Sequence, residues 1–176
     1  MKRITYYAMA VIALGVAALP ATAANPTASA LVEAELVQTV TLVKTVDMQF
    51  GKVALTGEGV GTLVLGVDGV ITPTNLFVPT TGNVTPTAAV FGVNGLSGTS
   101  YTVNIPGGTV SLTKQGGSET MDVSAFSVKL ASKAAGVTTG TIGTDNSFAV
   151  GATLTIPTTQ AEGKYTGTFP VSISYN

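Results

Sequence analysis

The strongest constraint on this chain is an alternation sustained for 23 residues, from Ala28 to Phe50. Its even positions read Ala28, Ala30, Val32, Ala34, Leu36, Gln38, Val40, Leu42, Lys44, Val46, Met48 and Phe50. Ten of these twelve are apolar, whereas the odd positions are mostly Thr, Ser, Glu, Asp and Gln. A period of two is the signature of a β-strand with one buried face and one wet face. At ~3.3 Å per residue such a run reaches roughly 75 Å, yet a domain of this size has a radius of gyration near ~15 Å. One straight strand therefore does not fit inside the domain. Either the run bends and crosses between sheets, or its first half projects from the body.

The same period governs the rest of the chain. Tyr165, Gly167, Phe169, Val171, Ile173 and Tyr175 alternate with polar residues in a single expected C-terminal strand. Asp68-Gly69 between apolar runs is a hairpin signal. Pro73, Pro79 and Pro86 mark loop or edge. Residues 88–93 are apolar on both faces, as in a central strand. Met121, Val123 and Ala125 are in odd phase, but Phe126, Val128 and Leu130 are in even phase. A one-residue slip of this kind is what a β-bulge produces. Residues 131–146, rich in Gly and Thr, read as loop. Phe50-Gly51 marks a bulge or a close backbone approach. No convincing 3.6-residue period interrupts roughly nine short strands, and the expected fold is an all-β, antiparallel, immunoglobulin-like β-sandwich.

Ahead of the fold lie Lys2 and Arg3, an apolar run from Ala8 to Leu19, and Ala21-Thr22-Ala23. This is the pattern of a secretory signal peptide over residues 1–23. Its apolar run is shorter than the ~20 residues of a membrane span, so the mature protein is expected to carry no span and to be exported to periplasm, cell surface or an extracellular fibre. The expected organisation is residues 24–45 as an N-terminal extended segment and possible donor strand, and residues 46–176 as one sandwich domain. Beyond the leader there are six basic and nine acidic side chains, and the basic ones are scattered. That distribution does not suit a nucleic-acid groove. Charged residues are 10% of the chain, against ~25% in ordinary soluble domains. The surface is thus clothed in Thr, Ser, Asn and Gly, which suits packing against further copies.

Histidine and cysteine are absent, so a nucleophile would need Lys or a carboxylate as its base, and no spacing offers one. Glu33 and Glu35 read as a wet strand face, and Asp145-Asn146 as a polar turn rather than a calcium loop, which wants six to eight oxygen ligands. The expectation is a non-enzyme with no catalytic, cofactor or metal site. Residues 161–167 have the spacing of a tyrosine corner, which makes Tyr165 a hydrogen-bond anchor and puts Gly167 where antibody domains place a cysteine.

Two resemblances follow from particular stretches. Thr41-Leu42-Val43-Lys44-Thr45-Val46-Asp47-Met48-Gln49-Phe50-Gly51, Ala149-Val150-Gly151-Ala152-Thr153-Leu154-Thr155-Ile156-Pro157, residues 163–169 and Tyr175-Asn176 resemble a bacterial secreted family of unknown function with a pilin-like sandwich. A weaker resemblance, through Gly163 and Tyr175, is to pilins of the chaperone–usher type. In those, an incomplete sandwich is filled by an N-terminal strand of the next subunit, and backbone bonds give affinity while alternate side chains fill pockets. The resemblance implies a structural subunit of a bacterial surface fibre, self-association through Val32, Leu36, Val40 and Leu42, and a periplasmic chaperone as partner. The chain departs from that pattern in lacking a disulfide and in placing Pro170 in the bordering strand. Two other readings stay open: a self-closed, monomeric surface or matrix protein, and a glycan-binding adhesin module with Phe77 as one candidate aromatic.

Overall fold

Much of the period-two patterning is realised as strand. This computed structural model describes residues 27–35, 39–57 and 59–175, and it is all-β with antiparallel pairing. The expected signal peptide lies outside the described residues. The chain divides into two units, Met1–Leu36 and Val37–Asn176. In the first, residues 27–35 form no strand and are exposed throughout. The second holds the thirteen strands found among the described residues.

In order they are β1 (Thr41–Val46), β2 (Ala54–Leu55), β3 (Gly61–Leu65), β4 (Ile71–Thr74), β5 (Leu76–Phe77) and β6 (Ala89–Asn94). Then come β7 (Ser100–Asn104), β8 (Val110–Lys114), β9 (Thr120–Leu130) and β10 (Thr139–Thr141). β11 (Ser147–Ile156), β12 (Tyr165–Thr166) and β13 (Ser172–Tyr175) complete the set. Several of these are two or three residues long, too short for alternation to reveal, so the nine strands expected from sequence become thirteen.

β11 is the spine of the larger sheet, whose main path runs β1-β6-β11-β9-β8-β12. One edge of β11 is lined by β9. The other is shared in succession: Ser147 to Val150 pair with β6, and Ala152 to Ile156 pair with β3. Gly151 sits where the two partners meet. A Cβ there would press on the Leu65 carbonyl oxygen and come within 3.0 Å of Gly66 C and Val67 N. All three are backbone atoms, so only glycine lets the strands close at this point.

The expected bulge is present in β9. Gly151 pairs with Ser127 and Thr153 with Ser124, so Ala125 and Phe126 together stand opposite Ala152. Ala125 takes φ +49° to do it. The bulge restores Phe126, Val128 and Leu130 to the inner face after Met121 and Val123. The Asp68-Gly69 hairpin also forms: Asp68 Oδ1 accepts a hydrogen bond from Val70 N at 3.1 Å, and Gly69 has φ +81°.

The second layer is built from two pieces. A three-stranded sheet, β10-β7-β13, covers the β6–β9 region, and the β2-β5 ribbon covers the β3–β8 region. Between the layers lie two core clusters. One is centred on Tyr101, Phe148, Val150 and Leu130, the other on Leu63, Met121, Val123 and Leu154. Met48 and Phe126 pack against both. Pro73 falls in β4, whose sole ladder partner is β3, an edge position where a missing N–H is tolerated.

Two sequence expectations need correction. The C-terminal run is not one strand: β12 pairs with β8 in the large sheet, β13 pairs with β7 in the small one, and residues 167–171 join no ladder. Side-chain alternation survives the crossing because Tyr165, Phe169, Val171 and Ile173 remain half-buried. The stretch 131–146 is not all loop, since it contains β10 and the buried Ile142 and Asp145. In the long N-terminal run, ladder pairing begins at Thr41, and the register with β6 shifts between Lys44 and Val46.

Candidate functional site

Asp145 is fully buried, with its carboxylate accepting hydrogen bonds from Ser132 N at 3.0 Å, Ser132 Oγ at 2.5 Å and Thr141 N at 3.2 Å. Burial opposes its charge, but the bonds from Ser132 and Thr141, with the Lys133 charge nearby, outweigh that and hold the carboxyl below its ordinary range. The Tyr101 hydroxyl donates to the Asp145 carbonyl oxygen, and burial together with the neighbouring carboxylate pushes its pKa up to about 12. Asp145 is thus a staple that ties the 131–146 connection to β7, its acceptor capacity taken up by protein donors. Among the described residues no three His, Cys, Asp or Glu side chains group as metal ligands. Two depressions, one beside Val90, Lys129 and Phe148 and one beside Val93, Ile142 and Asn146, have volumes near 240 and 180 Å³. Both fall below the ~300–1,000 Å³ of small-molecule pockets.

The expected structural motif residues fall into place as packing elements. Tyr165 Oη donates to Ala161 O at 2.7 Å and accepts from Gln160 Nε2 at 2.6 Å, the geometry of a tyrosine corner. Replacing Tyr165 with Phe removes both bonds while keeping the ring. It is expected to lower stability by about 0.5–1.5 kcal/mol, read from the urea midpoint, and an unchanged midpoint would show that the corner carries nothing. Gly167 lies against Ser111 O and Leu112, and Gly163 lies over the Lys114 stem with φ +149°. Gly51 has φ +80°, and Asn83 closes on it: a Cβ would stand 2.9 Å from Asn83 Oδ1, which accepts from Lys52 N at 2.6 Å. Phe50 packs on the second core cluster. Phe77, by contrast, is 60% exposed.

What remains is an unfinished edge. β1 ends one side of the large sheet, and β13 ends one side of the small sheet. Among the described residues no ladder joins them. A hydrogen bond does, from Val40 N to Tyr175 Oη at 2.6 Å. Half-buried apolar side chains line both sides of this seam: Val40, Leu42 and Met48 from the β1 side, Phe169, Val171 and Ile173 from the C-terminal side. Phe169 anchors the crossing between sheets, its ring edge-on to Phe91 at 6.3 Å and 5.2 Å from Phe126. Pro170 supplies no N–H, which suits a stretch outside any ladder.

The four strand-exchange candidates therefore separate. Val40 and Leu42 belong to their own chain's seam, with Leu42 paired to Val93 in β1. Val32 is 88% exposed, beside Leu31 at 85%. Leu36 lies outside the described residues. Sequence reasoning missed the buried Asp145 staple and the Val40–Tyr175 bond. Neither has a periodic signal, because each depends on where a connection folds back.

Residues 40–175 match the family model described as a domain of unknown function, DUF4402. The chain belongs to the DUF4402 family. No match to it appears among curated proteins or among solved structures. The matched span of this DUF4402 chain begins at Val40, next to the first strand, and so takes in both sides of the seam. No helix among its described residues is long and apolar enough to cross a membrane.

Proposed function

We propose that the chain is a non-enzymatic structural subunit of a bacterial surface fibre, exported by its leader and assembled by β-strand addition. Residues 28–36 of one copy are the donor and the β1–β13 seam of the next is the acceptor. One observation carries this reading: among the described residues the alternating stretch 167–171 has no ladder partner, although half-buried apolar side chains from it and from the β1 side pack on the same core cluster. Exposed edge strands with apolar faces invite pairing with another chain. The donor has the matching pattern, with Ala28, Ala30, Val32, Ala34 and Leu36 on one face and Glu33 and Glu35 on the other. A periplasmic chaperone would cover the seam before assembly.

The test is Val32→Asp in the otherwise intact mature chain. A charge at this exposed position changes folding stability by no more than about 0.5 kcal/mol, yet it places a carboxylate on the donor's apolar face. The wild-type protein is expected to form concentration-dependent oligomers in light scattering, and the variant to remain monomeric. A wild-type chain that stays monomeric at every concentration, or a variant that assembles equally well, overturns the reading.

A second reading, a glycan-binding module, draws on the exposed Phe77 ring, a surface on which a sugar can stack. Glycan-array signals abolished by Phe77→Ala would favour it.

A further inference from the structure

The Val40–Tyr175 hydrogen bond does something a packing contact does not. It links the residue just before edge strand β1 to edge strand β13 of the other sheet, across 135 positions of sequence, at the mouth of the seam. Val40 precedes the first ladder position of β1, Thr41. Its N–H is therefore an edge donor of the kind that templates pairing with a foreign strand. The Tyr175 hydroxyl satisfies it with a single atom, not with a strand. The ring that carries that hydroxyl is 53% exposed, so it can swing into water without opening a cavity in the core.

We propose that Tyr175 is a clasp that holds the seam shut in the single chain and is displaced when the extended segment of a second copy enters. This rests on the fibre reading above. The incoming backbone takes over the Val40 N–H, and the released phenol turns outward, where water satisfies it. The clasp thereby makes the seam slow to pair with unrelated strands and costs little to open, because one neutral hydrogen bond at the solvent boundary shifts an equilibrium by about 2- to 10-fold.

The experiment uses the full mature chain and its Tyr175→Phe variant, which keeps the ring and loses the hydroxyl. Amide exchange at Val40, followed by NMR, reads the clasp directly. Uptake of a fluorescent synthetic peptide of residues 27–38, with self-association by light scattering, reads the gate. The expected result is Val40 exchange faster by about 2- to 10-fold in the variant, with peptide uptake and self-association accelerated by a similar factor. Val40 exchange unaffected by the substitution overturns the clasp itself. Faster exchange with unaltered uptake shows a tie that gates nothing, and also overturns the proposal. If Val40 exchange responds but neither protein takes up peptide or associates, the fibre reading fails and the gate falls with it.

Discussion

Phe148→Ala is expected to cost about 3–5 kcal/mol of folding stability, the range for deleting a buried aromatic side chain. Phe148 is 1% exposed at the centre of the first core cluster, its ring stacked on Phe91 at 5.2 Å with an interplanar angle of 17°. The stacking adds about 0.5–1.5 kcal/mol beyond the area buried. The site cannot collapse easily, because β11 is paired on both edges and its backbone cannot move toward the void. Against a typical domain stability of about 5–15 kcal/mol, the variant should unfold at a much lower urea concentration. Phe169→Ala is the companion, since that ring is half-buried at the seam and its loss should cost clearly less. Equal midpoints for the two variants would show that the core is not centred on β11.

Asp145→Ala is expected to be the second most damaging change, at about 1–3 kcal/mol, because it takes the acceptor from Ser132 N and Thr141 N, whose bonds to the carboxylate are part-buried. Its pH dependence distinguishes the carboxylate from simple packing. A depressed folded-state pKa contributes stability that is fully present above the unfolded value, near ~3.9 for Asp, and is lost as pH falls through the folded value. Wild-type stability should therefore decline from about pH 5 downward, and Asp145→Asn should flatten that decline by removing the titrating group. Tyr101 plays no part in this window because its hydroxyl stays protonated throughout. Glu119, also held below its ordinary range by its own backbone and Lys114, has the same sign but is exposed and contributes little. Urea titrations between pH 3 and pH 7 decide it: parallel profiles for wild type and Asp145→Asn would show that Asp145 titrates alike in both states.

Alternation made much of the fold legible. The slip from Ala125 to Phe126 located the bulge, Asp68-Gly69 located a hairpin, and the spacing before Tyr165 located the corner. These are local features, in which neighbouring residues report on one another. Alternation records which way a side chain faces, but not which strand its backbone bonds. For that reason the crossing at residues 167–171 stayed hidden inside an unbroken pattern, and the N-terminal run seemed continuous although its ladder begins at Thr41. The seam was legible only as apolar residues in need of cover. That Leu42 pairs within its own chain and Val40 lies just before β1, while Val32 is exposed, required the pairing of β1 with β6. Asp145 looked like any turn residue because burial of a polar side chain by a returning loop leaves no periodic trace.

The position of β11 has a consequence for how such a chain comes into being. Its residues 147–156 are the shared partner of residues 61–65, 89–92 and 122–130, yet they are made after all of them. A polypeptide delivered from its amino end therefore presents most of its sheet-forming segments before the strand that unites them exists. Long-range pairing of this kind is slow and prone to aggregation. Until Ile156 has emerged, the nascent molecule has to be kept apart from its siblings.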